Sequence, residues 1–302
     1  MIIIDFSGTL HSIINAHLHF DGDVSEEKIR HVTMMALRRY RQKFMKEYGQ
    51  DFIIACDAKN YWRKEIFPYY KQKRRNDRKD SEIDWNRLYK YIDTVKEEIK
   101  EHFHYPVIEV DGAEADDVIA VMTKEWVRRE SHMGWPITYT KKAPVMIISR
   151  DKDLFQLQDE RKLVKQYDPV DDKEKICDDP LRFRFEHTVK GDVGDGIPNI
   201  LSPENSLAVG IRQKPIYQKK LDEWYQLGND DSKSPMHSLP SDATHRFMLN
   251  YALIDFRAIP NELNDKIFRE WDSQREKKNT IMKYFMKHRL TDCLSNLQDF
   301  IL

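Results

Sequence analysis

The chain of 302 residues is long enough to bury a sizeable core as one large domain or two unequal lobes, and too short for a multi-domain assembly. Fifty Lys and Arg nearly cancel 51 Asp and Glu, leaving a net charge of -1, yet 33% of residues are charged, so the placement of charge matters more than its sum. Cys56, Cys177 and Cys293 are odd in number, far apart and without C-x-x-C spacing, which excludes a readable disulfide framework or zinc knuckle. MIIIDFSG at the start has neither a basic nor an apolar leader region, and no apolar run reaches about 18 residues, so a soluble, non-exported protein is expected.

In chain order, four short apolar runs have the character of buried parallel strands: Ile2 to Ile4, Phe52 to Cys56, Val107 to Val110 and Val145 to Ile148. Amphipathic helices lie between them. Ile29, Val32, Ala36, Tyr40, Phe44 and Tyr48 recur at helical spacing, with Ser25 as N-cap and Gly49 as stop. Trp85, Leu88, Ile92, Val95 and Ile99 repeat the pattern, and residues 115 to 129 begin a third helix. This alternation predicts an α/β fold with a mostly parallel central sheet flanked by helices. After about residue 186 the strand signal fades into helical patterns broken by the polar stretch GNDDSKSPMHSLPSD, read as a loop. The expected organisation is therefore a core over residues 1–185 and a smaller helical lobe over 186–302.

Each apolar run is followed by acids. Asp5 closes the first, Asp57 follows the second, EADD (Glu114, Asp116, Asp117) follows the third, and Asp151 and Asp153 follow the fourth. GDVGDG adds Asp192 and Asp195. A single strand-end aspartate is equally a turn former or a helix cap, and Asp111 is read only that way. Five acidic segments with the same placement would repel one another, because ligands and side chains converge at the carboxyl ends of parallel strands. The set is read as a metal cage. Carboxylates without His or Cys suit Mg²⁺, with Mn²⁺ as a substitute, and their number suggests two ions. The pairs His17/His19 and His102/His104 lack further zinc ligands at finger spacing and are read as structural or exposed.

Residues 61–79, YWRKEIFPYYKQKRRNDRK, hold eight Lys or Arg, two acids and five aromatics. The alternative is a solvated helix face, but this mixture fits nucleic acid better, with cations on phosphates and a ring on a base.

With these elements in order, the chain resembles the 5′ nuclease (flap endonuclease) family, in particular its T-even-type bacteriophage RNase H branch. The residues that carry the likeness are IIIDFSG, IIACDAKNYWRKE, YYKQKRR, EADDVIAV, IISRDKDLFQL and VKGDVGDGIPN, extended by NYALIDFRAIP and KYFMKHRL. The resemblance implies a PIN-like 5′ nuclease fold and a 5′-to-3′ nuclease that removes RNA primers from lagging-strand fragments in the cytoplasm of an infected bacterium. It implies metal ligation by Asp5, Asp57, Glu114, Asp116, Asp117, Asp151, Asp153, Asp192 and Asp195, with Asp116 and Asp151 central to catalysis. Lys71 is implied as the gateway lysine on the scissile phosphate, Arg74 as a phosphate ligand and Tyr70 as the stacking ring. Arg63, Lys64 and Arg75 belong to the same basic segment. Gly196, in a turn able to hold a phosphate, with Lys219 and Lys220 behind it, is expected to help the second lobe grip duplex, although GDGIPNILSPENSLAVGI keeps only Gly196, Ile197 and Pro198 of the family's hairpin. DNA and RNA-DNA hybrids are the implied partners, with a phage single-strand-binding protein and a sliding clamp, and a monomer is expected. SHMGWPITYTKKAP is a long loop for the family.

Two other readings exist. DFSGTL and GDVGD resemble motifs of haloacid-dehalogenase-type phosphatases, but Ser7 stands where their general-acid aspartate belongs. A non-catalytic single-strand-binding protein would need the basic segment and not the acids.

Overall fold

The computed structural model describes residues 1–21, 25–74, 84–130, 144–158, 163–228, 239–275, 277 and 279–301. Arg75, most of the long loop before Val145 and most of the polar stretch 228–242 lie outside the described residues.

The described chain forms two compact units, each assembled from separated stretches: Met1–Lys59, Asp84–Ile176 and Asn261–Leu302 make the first, Asn60–Ile83 and Cys177–Pro260 the second. The expected division into 1–185 and 186–302 is therefore not the spatial one. Residues 60–83, which hold the basic segment, group with the second unit, and residues 261–302 with the first.

The first unit is built on a six-stranded sheet: β1 (Ile2–Asp5), β2 (Phe52–Ala55), β3 (Val107–Ile108), β4 (Val145–Ile148), β5 (Val164–Asp168) and β6 (Lys173–Lys175), in the order β3-β2-β1-β4-β5-β6. Neighbours among β1 to β5 run parallel, and only β6 pairs antiparallel. All residues of β1, β2 and β4 are buried, as strands covered on both faces require. The chain leaves β1 toward β2 and β3 on one side and later returns to β4 and β5 on the other. β1 and β4 thus flank the topological switch point, where the strand ends open a crevice.

Helix Glu26–Tyr48 starts on Ser25, whose Oγ accepts from the Lys28 N–H at 3.2 Å, and stops at Gly49 with φ +87°. It buries Ile29, Met34, Leu37, Tyr40 and Phe44 in the main core. Ile281, Tyr284, Phe285, Leu290, Cys293 and Phe300 belong to that same core, which is why residues 261–302 group with the sheet. Two polar contacts fix the arrangement. Tyr105 donates its hydroxyl to the Phe300 carbonyl at 2.6 Å, and the Gln274 amide meets both backbone groups of Val107 at 3.0 and 2.8 Å, so that a side chain takes the place of a further strand at the sheet edge.

The second unit packs helices Pro180–Lys190, Gln218–Gly228 and Thr244–Ile254 around Val189, Ile200, Leu221, Trp224, Leu239 and Phe247. A smaller cluster of Phe67, Tyr70, Ile197, Leu253 and Ile254 ties the basic segment to it. Among the described residues no helix is long and apolar enough to cross a membrane.

Candidate metal centre and nucleic-acid gateway

In the first unit the predicted acids stand at the carboxyl edge of the sheet. Asp5 ends β1 and is 8% exposed; its Oδ1 accepts from the Gly8 N–H at 2.8 Å and its Oδ2 from the Ser149 hydroxyl at 2.8 Å. Gly8 is required there, because a Cβ would collide with the Asp5 carboxylate. Beyond β4, the Asp151 N–H donates to Ser149 Oγ at 3.1 Å, and Asp151 Oδ1 accepts from the Asp153 N–H at 2.9 Å, capping the 3₁₀ turn Lys152–Leu157.

Glu114, Asp116 and Asp117 surround the start of helix Ala115–Glu130. The exposed Asp57, beyond β2, reaches this helix and accepts from the Ala115 N–H at 3.0 Å. The helix N-terminus carries about +0.5 of a charge and its first N–H groups lack intrahelical partners, which offsets part of the repulsion. Asp117 is used in that way. It is fully buried, and its Oδ2 accepts from the Glu114 N–H at 3.0 Å, the geometry of a helix-start clasp. Asp116 is half-buried and Glu114 is 2% exposed.

Asp168, which ends β5, shows the alternative fate of a strand-end acid. Burial pushes its pKa up, but the Asp171 and Val170 N–H groups and Lys175 at 3.0 Å outweigh burial and hold it below the ordinary carboxylate range. It is a turn former. By contrast, Asp5, Asp57, Glu114, Asp116, Asp151 and Asp153 supply hard oxygen donors without thiolate or imidazole, and this donor chemistry fits Mg²⁺ or Mn²⁺.

In the second unit helix Pro180–Lys190 ends at Gly191, with φ +71°, and leads into Asp192 and Asp195. The Asp195 N–H donates to Asp192 Oδ1 at 3.0 Å, and His187 Nε2 lies 3.5 Å from Asp192 Oδ2. His187 was not singled out in the sequence; its place five residues before Asp192 on a helix is a signal only once the helix end is known.

The basic segment meets this turn. Asp195 accepts from the Tyr70 hydroxyl at 3.1 Å and pairs with Arg74 Nη2 at 2.6 Å, while Lys71 Nζ lies 3.9 Å away. Lys71 and Arg74 are thereby brought together on one carboxylate. Lys64 stands over the Tyr61 ring at 3.9 Å.

Two expectations change, those for Tyr70 and Arg63. Tyr70 is 3% exposed and packed edge-on against Tyr61, so it is a core residue and not a free stacking ring. Arg63 is also 3% exposed and donates Nε to the Leu253 carbonyl at 2.8 Å, so it braces the fold in place of a phosphate. Gly196, at φ +78°, is needed because a Cβ would come 2.9 Å from the Tyr69 carbonyl oxygen; its bare backbone faces the basic segment. Lys219 and Lys220 are exposed helix residues, and Lys220 pairs with Glu223 at 3.1 Å in an ordinary surface bridge.

The family described as 5′-3′ exonuclease, N-terminal resolvase-like domain, matches residues 1–184, and that described as T4 RNase H, C terminal, matches residues 184–300. The chain is 26% identical over 304 residues to the ribonuclease H of Enterobacteria phage T4, covering 99% of this chain and 95% of that protein. It is 27% identical over 187 residues to a 5′-3′ exonuclease of Streptomyces coelicolor, covering 52% and 54% of the two chains. The T5 5′-exonuclease, solved with divalent zinc ions bound, shares the fold with a TM-score of 0.58 at 19% identity over 91% of this chain and 99% of that one. These matches replace the phosphatase and the non-catalytic binder as readings. A parallel sheet with carboxylates at its switch point, and a family match across more than half of the sequence, agree: the chain belongs to the 5′-3′ exonuclease family, nucleases that hydrolyse phosphodiester bonds.

Proposed function

We propose that this 5′ nuclease removes RNA primers, and DNA adjoining them, from lagging-strand fragments during bacteriophage replication. One observation carries the proposal: acids from four separate strand ends stand at the switch-point edge of the sheet, and Asp5 is bonded across that switch to Ser149 beyond β4. In this reading Asp5, Asp57, Glu114, Asp116, Asp151 and Asp153 hold Mg²⁺, with Mn²⁺ as substitute. Divalent ions, when bound, supply the positive charge that polarises a phosphate and lowers the pKa of an attacking water.

The chain's own groups do the rest. Lys71 and Arg74 take phosphate oxygens of the substrate strand and stabilise charge that grows there. The half-exposed Tyr61 and Tyr69 replace Tyr70 as the rings available to a base. Lys219 and Lys220 extend phosphate contact along a duplex, and a phage single-strand-binding protein and sliding clamp are the partners of a monomer.

The test is cleavage of a 5′-labelled RNA-primed duplex, a 5′ flap and a blunt duplex with and without Mg²⁺. Short 5′-labelled products from the primed and flapped substrates, lost in EDTA and reduced at least ~30-fold by Asp5→Asn, are expected; about 2 kcal/mol of transition-state stabilisation corresponds to that factor. Cutting that persists in EDTA, or at internal sites only, refutes the assignment.

A further inference from the structure

We infer that Ser149, held in place by Gln166, is a positioning residue that sets the orientation of the Asp5 carboxylate and of the Asp151 backbone. The inference rests on the reading of Asp5 and Asp151 as metal-holding acids.

An aspartate at the end of a strand has a soft terminal torsion, and its carboxyl group turns through a broad range unless both oxygens are held. Both Asp5 oxygens are held, Oδ1 by the Gly8 N–H and Oδ2 by the Ser149 hydroxyl, each at 2.8 Å. An ionised carboxylate offers about four lone-pair sites, so a bond on each oxygen can orient the group without using up its capacity to hold a cation. Ser149 is 1% exposed and has a single proton, which is spent on Asp5; its oxygen accepts from the Asp151 N–H at 3.1 Å. One hydroxyl therefore links an acid on β1 to the backbone of an acid beyond β4.

Gln166 fixes that hydroxyl's backbone. It lies on β5, fully buried, and its Nε2 donates to the carbonyls of Ser149 at 3.0 Å and Asp151 at 2.6 Å, using both protons. Its Oε1 accepts from no described residue. A buried amide oxygen left in that state costs stability, on the order of 1–3 kcal/mol, which offsets part of what the two donated bonds contribute. What only the amide supplies is the pair of donors on the loop bearing Asp151.

Outer groups of this kind set the alignment of ligands, and their loss typically lowers metal affinity or activity by about 10- to 100-fold. The test uses the full chain with Ser149→Ala, Ser149→Thr, Gln166→Met and, as a control, Asp5→Asn. Mn²⁺ binding to the free protein is followed by electron paramagnetic resonance, kcat and KM are measured on a 5′-labelled primed duplex, nucleic-acid affinity is measured in EDTA, and folding is followed by circular dichroism and Tm.

The expected result for Ser149→Ala is a Mn²⁺ affinity weaker by about 10-fold and a kcat lower by about 10- to 100-fold, with KM and the affinity in EDTA within about 2-fold of the parent. Ser149→Thr, which keeps the hydroxyl, restores most of both. Gln166→Met lowers Mn²⁺ affinity and kcat beyond what its loss of folded protein accounts for, with a lower Tm because the Ser149 and Asp151 carbonyls lose their donor. If Asp5→Asn is inactive but Ser149→Ala keeps Mn²⁺ affinity and kcat within about 2-fold, the positioning role is overturned and the metal-site reading stands. If Ser149→Ala loses kcat only in proportion to its loss of folded protein, or Thr restores nothing, Ser149 is a structural turn residue and the inference fails. An Asp5→Asn protein that binds Mn²⁺ and cuts like the parent removes the underlying reading itself.

Discussion

The backbone N–H of Lys71 donates to the carbonyl oxygen of Asp195 at 2.7 Å, and Lys71 holds φ at +53° in doing so. A side chain with a Cβ pays about 1 kcal/mol or more in that left-handed region, a strain that glycine escapes. Stability and activity should therefore part at this residue. Lys71→Gly is expected to match or exceed the parent in Tm, and Lys71→Ala to fall no more than slightly below it, while both lose cleavage by about 100-fold because the ammonium is gone. Thermal melts and single-turnover cleavage of the same samples check this.

Asp195 holds Arg74 at 2.6 Å, so a substrate phosphate must compete with a carboxylate for that guanidinium. Asp195→Asn should tighten nucleic-acid binding in EDTA by several-fold and yet reduce Mg²⁺-dependent cleavage. Arg74→Gln should weaken binding and lower the magnitude of the log-log salt slope by roughly 1. Fluorescence anisotropy between ~50 and ~200 mM salt reads both quantities.

Asp57 and Asp117 both accept from N–H groups at the start of helix Ala115–Glu130, but only Asp117 is fully buried. Asp57→Asn keeps an accepting oxygen and is expected to leave Tm within a degree or two while cleavage drops. Asp117→Ala should cost about 1–2 kcal/mol of stability, because it removes a cap and leaves the Glu114 N–H without that partner. Urea unfolding of the two variants separates a ligand from a clasp.

Burial, aided by the charge of Arg41, lowers the pKa of His104 to about 4 from its ordinary 6.5. The unfolded chain then binds the extra proton first as pH falls, so this group's effect is absent above about pH 6.5 and destabilises progressively down to about pH 4. Tm measured across that window should decline less steeply for His104→Asn than for the parent.

The strands and the acids at their ends were legible because buried parallel strands leave continuous apolar runs, and Asp5, Asp57 and Asp151 stand directly beyond them. The roles of Arg63 and Tyr70 were not. Their positive charge and aromatic ring are the chemistry of a nucleic-acid contact, and only packing against Leu253 and Asp195, nearly two hundred and more than one hundred residues away, shows them to be braces. Ser149 and Gly8 lay within motifs already picked out, but a short polar residue and a glycine acquire meaning only when Asp5 is seen between them. The spacing of Ile281, Tyr284 and Phe285 does announce a helix with one buried stripe. Periodicity cannot tell which core receives that stripe, and it went to the sheet.

That destination has a consequence for biosynthesis. Phe300 is fully buried in the same core as Ile2 and Ile4, and Arg41 donates to the Asp299 carbonyl at 3.1 Å, so strand β1 waits for a segment made far later in synthesis. Ribosomes lengthen a chain by about 5–20 residues per second, and domains ordinarily fold as their sequence emerges. Here the sheet-bearing unit cannot close its core until residues up to Phe300 have cleared the exit tunnel, which adds several seconds during which the Ile-rich strands are uncovered. Prematurely terminated chains should accordingly be captured by chaperones or degraded, and a stalled ribosome carries no folded nuclease toward the nucleic acid around it.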